Sequence, residues 1–330
     1  MNLSVIIPTR NRASLLAEAL DSITRQTLDP DVFEVIVVDN GSTDNTREVV
    51  AIAGSGLRNM RYFREPEPGL HAGRHRGARE ARGEFLTFAD DDIEAFPSWL
   101  ESIVQGFSDP GVEMVGGNNL PRFLGTPPRW LSKLWEKPNL GGRAIPALSI
   151  IELPGNARSC NPLLIWGCNF SIRKSTLLAA GGFHPDGLPR DLLRFRGDGE
   201  THVSRYVMHS GGKCLFHPGV SVYHKVSPDR MSIAYFRQRA FNQGISDSYT
   251  ELRGKYLAQR GPGRFAYLGS LRRQARKRLR QFRSAWTRDR QMKLLLSESA
   301  QGYEEGFDFH QHAFATDSEV HDWVLRPSYM

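Results

Sequence analysis

Three consecutive carboxylates, Asp90, Asp91 and Asp92, end a run of strand-forming residues in the stretch EFLTFADDDIEAF, residues 84–96. Adjacent carboxylates repel one another, and near a protein interior burial disfavours the charged form of each. A cation is therefore expected beside them. Magnesium and manganese ions take oxygen ligands, commonly one or two carboxylates together with substrate phosphates. A cluster at a strand end suits an ion that neutralises a diphosphate, although a solvated acidic turn would share the composition. A fourth carboxylate, Asp39, follows the β-branched run VIVV and precedes the turn-forming pair Asn40–Gly41. That position alone favours a turn, and is compatible with a group that accepts hydrogen bonds from a base or ribose at the sheet edge.

These residues need a frame, and the hydrophobic pattern supplies one. LSVIIP (3–8) reads as a strand, and ASLLAEALDSI (13–23) as a helix from the spacing of Leu15, Leu16, Ala19, Leu20 and Ile23. FEVIVVDN (33–40) is the clearest buried strand. GSTDNTREVVAIA then opens a helix that Ser42, Thr43 or Asp44 can cap. MRYFRE (60–65) is a weaker strand, and GLHAGRHRGAREARG a loop running into a helix that Gly83 ends. EFLTFA, PSWLESIVQGF and VEMVGGN follow as strand, helix and strand. The alternation implies an α/β fold with a mostly parallel, right-handed doubly wound sheet. Ligands of such sheets bind beyond the carboxyl ends of the strands. Asp39 and Asp90–Asp92 both lie at those ends and should share one cleft.

Further along, residues 120 to 160 are rich in Pro and Gly, contain Trp130 and Trp135, and show no clear period. They read as an insertion or lid. LLIWGCNFSIRKSTLLAAGGF returns to a strand and then a helix stopped by Gly181–Gly182. GDGETHVSRYVMHSGG is a loop entering a helix that ends at Gly211, and KCLFHPGVSVYHKV holds one or two short strands. From about residue 228 the pattern is mainly helical.

With 40% apolar and 24% charged residues over 330 positions, the chain has the composition of a soluble globular protein. No run approaches the roughly 18 apolar residues that cross a bilayer, and MNLSVIIPTR has no signal-peptide cleavage site. Cys160, Cys168 and Cys214 are few, odd in number and not in metal-ligand spacing, which points to a reduced, cytoplasmic setting. The net charge of +7 points to an anionic partner: nucleotide, nucleic acid or membrane surface. Much of it sits in YLGSLRRQARKRLRQFRSAWTRDRQMK. There Leu268, Leu271, Ala275, Leu279, Phe282 and Trp286 form one apolar stripe, and Arg272, Arg273, Arg276, Lys277, Arg278, Arg280 and Arg283 cover the other faces. Such a basic amphipathic helix, over about 268–293, either lies on an anionic membrane or packs on the rest of the protein with its Arg face solvated. Aromatics are not interleaved with the basic residues as stacking on bases requires, so no nucleic acid is expected.

The segments SVIIPTRNR, VIVVDNGSTDNT, GLHAGRHRGAREARGEFLTFADDD, GGF and GDGETHV come in an order and spacing that closely resembles glycosyltransferase family 2. The resemblance is strong over residues 1 to about 120, good from 165 to 250 and weaker beyond. It implies a GT-A fold: a catalytic domain over 1–227, with a nucleotide-binding half (1–120) and an acceptor half (121–227), and a helical extension over 228–330. The implied activity is inverting, metal-dependent transfer of a sugar from a nucleoside diphosphate donor, a UDP-sugar above all, to a carbohydrate or lipid-linked acceptor. The implied cofactor is Mn2+ or Mg2+, and the implied place the cytoplasm, with the basic helix as a peripheral contact on the inner face of the membrane.

Residue by residue, the resemblance implies that Pro8, Thr9 and Arg10 border the nucleobase and that Asp39 binds base or ribose. Arg74 matches the arginine of the family's ARN pattern, near the nucleotide; His75 stands where the family has Asn, so that contact is not carried over. Asp90 and Asp92 match the outer residues of the DXD motif, one toward ribose or sugar and one toward metal, with Asp91 able to stand in for either. The general base falls in the helix-entrance segment, where GDGE replaces the family's ED; Glu200 is favoured and Asp198 is the alternative. Two carboxylates there would also simply favour a helix N-terminus. His224 either completes the metal site or is a satisfied structural histidine, and Lys225 and Arg230 either meet the phosphates or are solvated. Trp166 and Asn169 match the segment lining the acceptor side, where Trp166 stacks on a sugar or belongs to the core.

Two rival readings differ in sequence features. A nucleotidyltransferase would carry a glycine-rich phosphate loop after the first strand, and PTRNR lacks the glycines. A catalytically silent nucleotide-sugar or membrane-binding protein would need no carboxylate at 198 or 200.

Overall fold

The structure, a computed structural model, describes residues 2–258 and 289–330. The basic helix expected over 268–293 therefore lies almost wholly outside the described residues. Strands β1 (Leu3–Thr9), β2 (Phe33–Asp39), β3 (Met60–Arg64) and β4 (Phe85–Ala89) alternate with helices α1 (Ala13–Thr24), α2 (Thr46–Ala53) and α3 (Leu70–Glu80). Then come β5 (Ile93–Ala95), α4 (Trp99–Gly106), β6 (Val112–Gly116), β7 (Asn119–Phe123) and α5 (Arg129–Glu136). The short strands β8 (Pro138–Asn139), β9 (Gly142–Ile145), β10 (Ile150–Glu152) and β11 (Arg158–Ser159) lead to β12 (Asn169–Arg173), α6 (Lys174–Ala179) and α7 (Glu200–His209). Last are β13 (Lys213–Phe216), β14 (Val222–Val226), the long α8 (Ile233–Ala258) and helices Arg290–Thr316 and Ser318–Val324.

The main sheet runs β11-β13-β6-β12-β4-β1-β2-β3. The pairings of β1 with β2 and β4, of β2 with β3 and of β6 with β13 are parallel; β12 is antiparallel to both neighbours and β11 to β13. Helices cover both faces, which is why β1 and β2 are buried throughout and read as continuous apolar runs. Val5, Ile7, Val35 and Val37 face Leu16, Leu20, Trp99 and Ile103 of α1 and α4. Ile6, Ile36, Val38 and Phe88 face Ala78, Leu177, Val203 and Val207 of α3, α6 and α7. Helix α3 stops at Glu80, three residues before the expected Gly83.

Residues 120 to 160 are more ordered than their sequence suggests. They supply β7–β11 and α5, and β7–β10 join β5 and β14 in a second sheet of order β5-β14-β7-β10-β9-β8. Trp130 and Leu131 of α5 are buried with Ile145, Ile150, Phe236 of α8 and Leu295 of the last long helix. That helix and α8 lie side by side in the same direction, Phe241 beside Gly306, Ser248 beside His310 and Tyr256 beside Phe314. A β-carbon on Gly306 would fall 2.0 Å from the Phe241 carbonyl oxygen, so the two backbones touch. The final residues tie back to the sheet domain: Trp323 Nε1 donates to Phe195 O at 2.8 Å, and the Ser328 hydroxyl to Gly181 O at 3.0 Å. Among the described residues, no helix is long and apolar enough to cross a membrane.

Candidate active site

Pro8, Thr9, Arg10, Arg12, Asn40, Leu70, Asp90, Asp91 and Gly187 line a cleft of about 330 Å³ beyond the carboxyl ends of β1 and β4. Parallel pairing sets Thr9 opposite Asp39, but Asn40, not Asp39, lines the cleft. Asp39 is buried, with Tyr62 Oη donating to one carboxylate oxygen at 2.5 Å and Ser42 N to the other at 2.7 Å. Burial works against its ionisation, yet these donors keep the carboxyl below its ordinary range. The turn-forming role of Asp39 is thus realised.

Arginines, and not a metal alone, meet much of the charge of the aspartate triplet. Thr9 Oγ1 donates to Asp91 at 2.7 Å, and Arg12 Nη1 donates to Asp91 at 2.8 Å and to Asp92 at 3.1 Å. Arg230 Nη1 reaches the same Asp92 oxygen at 3.1 Å. Burial still pushes Asp91 up to about 6 against the pull of Arg12. Arg12 was missed in the sequence; its only signal was a second arginine in PTRNR, close after a strand end. Asp91 is therefore committed to Thr9 and Arg12.

Asp92 differs. Strand β14 pairs with β5 so that His224 lies opposite Ile93, next to Asp92. His224 Nδ1 donates to Leu148 O at 3.0 Å, which turns Nε2 toward Asp92 Oδ1 at 3.1 Å. That oxygen is buried and accepts no hydrogen bond. Although burial opposes it, the positive charge of Arg230 and Arg12 draws Asp92 below the usual carboxylate range. A ring nitrogen and an unsatisfied carboxylate oxygen facing each other form a cation donor set. Asp90 and Cys168 also place ligand atoms within 4.8 Å of His224 and of each other. Burial, reinforced by Asp90 and Asp92, pushes the Cys168 thiol well above its ordinary value, so it is a neutral thiol and no partner for a hard ion. Asp90 and His224 can reach one ion, and Asp92 Oδ1 adjoins the same ring nitrogen; these oxygen and nitrogen donors are of the kind that suits Mn2+ or Mg2+.

On the other side of Asp90 stands Arg74, 2% exposed on α3. Its Nη2 donates to Asp90 Oδ1 at 3.3 Å and to Gly167 O at 3.0 Å, and its Nη1 lies 3.6 Å from Glu200 Oε2. Glu200 opens α7, its Oε1 accepting from Gly167 N at 3.2 Å. The preceding Gly199 has φ 56° and ψ −130°, a conformation glycine alone adopts without strain. The neighbouring His75 is structural: Phe183 N donates to its Nε2 at 2.8 Å.

Several sequence candidates are placed elsewhere. Asp198 turns away from the cleft and accepts from His184 Nδ1 at 2.6 Å, Arg205 Nη1 at 2.9 Å and the Thr250 hydroxyl at 2.9 Å. Burial would raise it, but His184 and Arg205 bring it down to about 2. It is a buried anchor and not a free base. Lys225 Nζ donates to Glu18 on α1 at 2.6 Å and is not directed at the aspartates. Asn169 is buried, accepting from Trp99 Nε1 at 2.9 Å and donating to Val220 O at 3.0 Å, which leaves it no acceptor contact. Trp166 packs against the cluster of Ala144, Ile151, Leu153 and Phe216, and its Nε1 donates to Leu163 O at 3.2 Å.

The chain resembles known proteins in sequence and in fold. The family model described as glycosyl transferase family 2 matches residues 4–177. Glycosyltransferase AglE of Haloferax volcanii is 39% identical over 116 residues, 35% of this chain and 38% of that protein. Validoxylamine A glucosyltransferase of Streptomyces hygroscopicus subsp. limoneus is 30% identical over 200 residues, 56% of this chain and 44% of that protein. The chain thus spans less than half the length of these relatives. Among solved structures, the mannosyltransferase PcManGT from Pyrobaculum calidifontis, in complex with GDP-Man and Mn2+, superposes with a TM-score of 0.54 at 20% identity, covering 96% of this chain and 75% of that one. With aspartates at the carboxyl end of β4, strands and helices alternating around them and more than half the chain matched, this protein belongs to glycosyl transferase family 2 and has its GT-A fold.

Proposed function

We propose that the chain is an inverting, metal-dependent glycosyltransferase that moves one sugar from a nucleoside diphosphate donor to an acceptor hydroxyl. The observation that carries this reading is the placement of Arg74 between Asp90 and Glu200, at 3.3 Å and 3.6 Å. It sets a carboxylate beside the metal-fitting group, where base and leaving group must work on one sugar carbon. Glu200 takes the acceptor hydroxyl proton. The freed oxygen attacks the anomeric carbon from the face opposite the diphosphate, and the breaking carbon–oxygen bond leaves its electron pair on the phosphate. Arg12 and Arg230 bring positive charge to the aspartates beside that developing anion. When bound to Asp90, Asp92 and His224, Mn2+ or Mg2+ would neutralise charge on the leaving diphosphate. Pro8, Thr9 and Arg10 offer the wall for the nucleoside, and a carbohydrate or lipid-linked alcohol is the acceptor class. A membrane role for residues 268–293 belongs to the same reading.

The donor is sought by thermal unfolding against UDP and GDP, each with and without Mn2+, because a ligand of the native state raises Tm as it is added. A metal-dependent shift with one nucleotide names the donor class; PcManGT holds GDP-Man, so both bases belong in the test. No shift at saturating ligand sinks the reading, and a shift without turnover favours a silent nucleotide-sugar binder. Glu200→Gln should keep the shift and lose turnover by about 10²–10⁴-fold. Retained turnover would remove Glu200 as base.

A further inference from the structure

Glu200 sits at the end of a segment that its own sequence cannot hold still. Gly197 and Gly199 flank Asp198, and each glycine carries more backbone freedom to be lost on folding than any other residue. The structure restrains this turn chiefly from outside, from α8 and from the His184–Pro185 segment, where Gly197 N donates to Pro185 O at 2.8 Å. The Ser246 hydroxyl donates to Gly197 O at 2.8 Å. One turn on, the Thr250 hydroxyl donates to Asp198 Oδ2 at 2.9 Å while accepting from Arg205 Nη1 at 3.0 Å. Between them the Tyr249 ring closes over the turn: a β-carbon on Gly197 would meet its Cζ at 3.1 Å. From the other side His184 N donates to Gly199 O at 3.2 Å. Ser246, Tyr249, Thr250 and Arg253 share one face of α8 by their three-to-four-residue spacing. Arg253 then ties that face to Val324 O at 2.5 Å and Arg326 O at 2.7 Å. Ser246, Tyr249 and Arg253 are all buried, so water does not compete well for these bonds.

We infer that Ser246 and Thr250 of α8 are positioning residues for the transfer reaction: they clasp the Gly197–Gly199 turn and thereby aim the Glu200 carboxylate. The inference rests on the reading of Glu200 as base. None of the clasping residues lines the cleft, and neither hydroxyl touches Glu200 itself. Their effect passes through Gly197 O and the Asp198 carboxylate to the first residue of α7. The helical extension is then part of the catalytic apparatus and not an appendage to it.

The test uses the full chain, with Ser246→Ala/Thr250→Val against the conservative Thr250→Ser. Hydrogen–deuterium exchange of peptides covering 197–205 reads the clasp directly, with the β2 peptide 33–39 as internal reference. Initial rates with whichever of UDP-glucose and GDP-mannose is turned over read its purpose. The double variant should exchange faster at 197–205 and unchanged at 33–39. Its kcat should fall on the order of 10–100-fold, the scale of a slight misplacement of a catalytic group, with donor KM nearly constant. Thr250→Ser, which keeps the hydroxyl, should restore both. If the double variant does not fold, Ser246→Ala alone carries the comparison. Unchanged exchange at 197–205 overturns the inference whatever the rates are. Faster exchange with undiminished kcat overturns it too, and Glu200→Gln then separates two cases. If that variant is inactive only the positioning role falls, and if it is active the assignment of the base falls as well.

Discussion

The guanidinium of Arg74 occupies the space that a side chain at position 167 would need: a β-carbon on Gly167 would lie 2.4 Å from Arg74 Nη2. The same glycine offers its carbonyl to Arg74 and its N–H to Glu200. Gly167→Ala should therefore drive Arg74 off both carboxylates without touching either. Turnover is expected to fall by about 10–100-fold, with far-UV circular dichroism unchanged. An active Gly167→Ala enzyme would show that the Asp90–Arg74–Glu200 arrangement is dispensable.

His224 faces a buried Asp92 oxygen that accepts no hydrogen bond. His224→Gln should weaken Mn2+ binding by at least about tenfold, measured by the loss of the free Mn2+ electron paramagnetic resonance signal on titration, which needs no substrate. Chelation followed by dialysis should abolish turnover in the wild type, and Mn2+ should restore it. Equal Mn2+ affinity in the variant would move the ion elsewhere.

Asp198→Asn separates anchoring from catalysis. It leaves the His184 and Arg205 side of a buried network without its anion, a loss of roughly 3 kcal/mol by analogy with broken buried ion pairs. Chemical denaturation should show the drop. If stability were intact and only the rate fell, Asp198 would return as a candidate base.

Acid should destabilise the fold through its buried histidines. Burial lowers His75 to about 3 and His202 and His310 to about 4, against an ordinary value of 6.5. Folded molecules keep these rings neutral while unfolded chains take up protons below 6.5. The stability they contribute is complete above that pH and is lost as the pH falls toward 4. Melting temperature should decline through this window, and His310→Gln should flatten the decline. A Tm constant between pH 6.5 and 4.5 would contradict the burial of these rings.

Much of the frame was legible because it rests on local pattern. β1, β2 and β4 are covered on both faces, so their apolar runs are unbroken, and Asp90 at the end of FLTFA follows from that. The second sheet was not legible, since β8–β10 span only two to four residues each and cannot display a period.

Within the site, what escaped the sequence depends on distant partners. Arg12 meets Asp91 across 79 positions, and Asp198 is claimed by Thr250 from 52 positions further on. Glu200 and Asp198 are two residues apart with the same chemistry, and the conformation of Gly199 together with α8 decides which one stays beside Arg74. Lys225 and Asn169 sit near motif positions, but Glu18 and Trp99 claim their polar ends.

The hold that the last described residues keep on the sheet domain bears on how the molecule is made. Trp323 and Ser328 fasten the segments at Phe195 and Gly181, on either side of His184, and Arg253 joins the α8 face to Val324 and Arg326. β1 to β4, with their aspartates, precede every residue of α8 that holds the turn before Glu200. The turn before Glu200 draws part of its support from α8, which Arg253 joins to Val324 and Arg326. In the order of the sequence the aspartates of the cleft therefore come first and the supports of the turn before Glu200 come last.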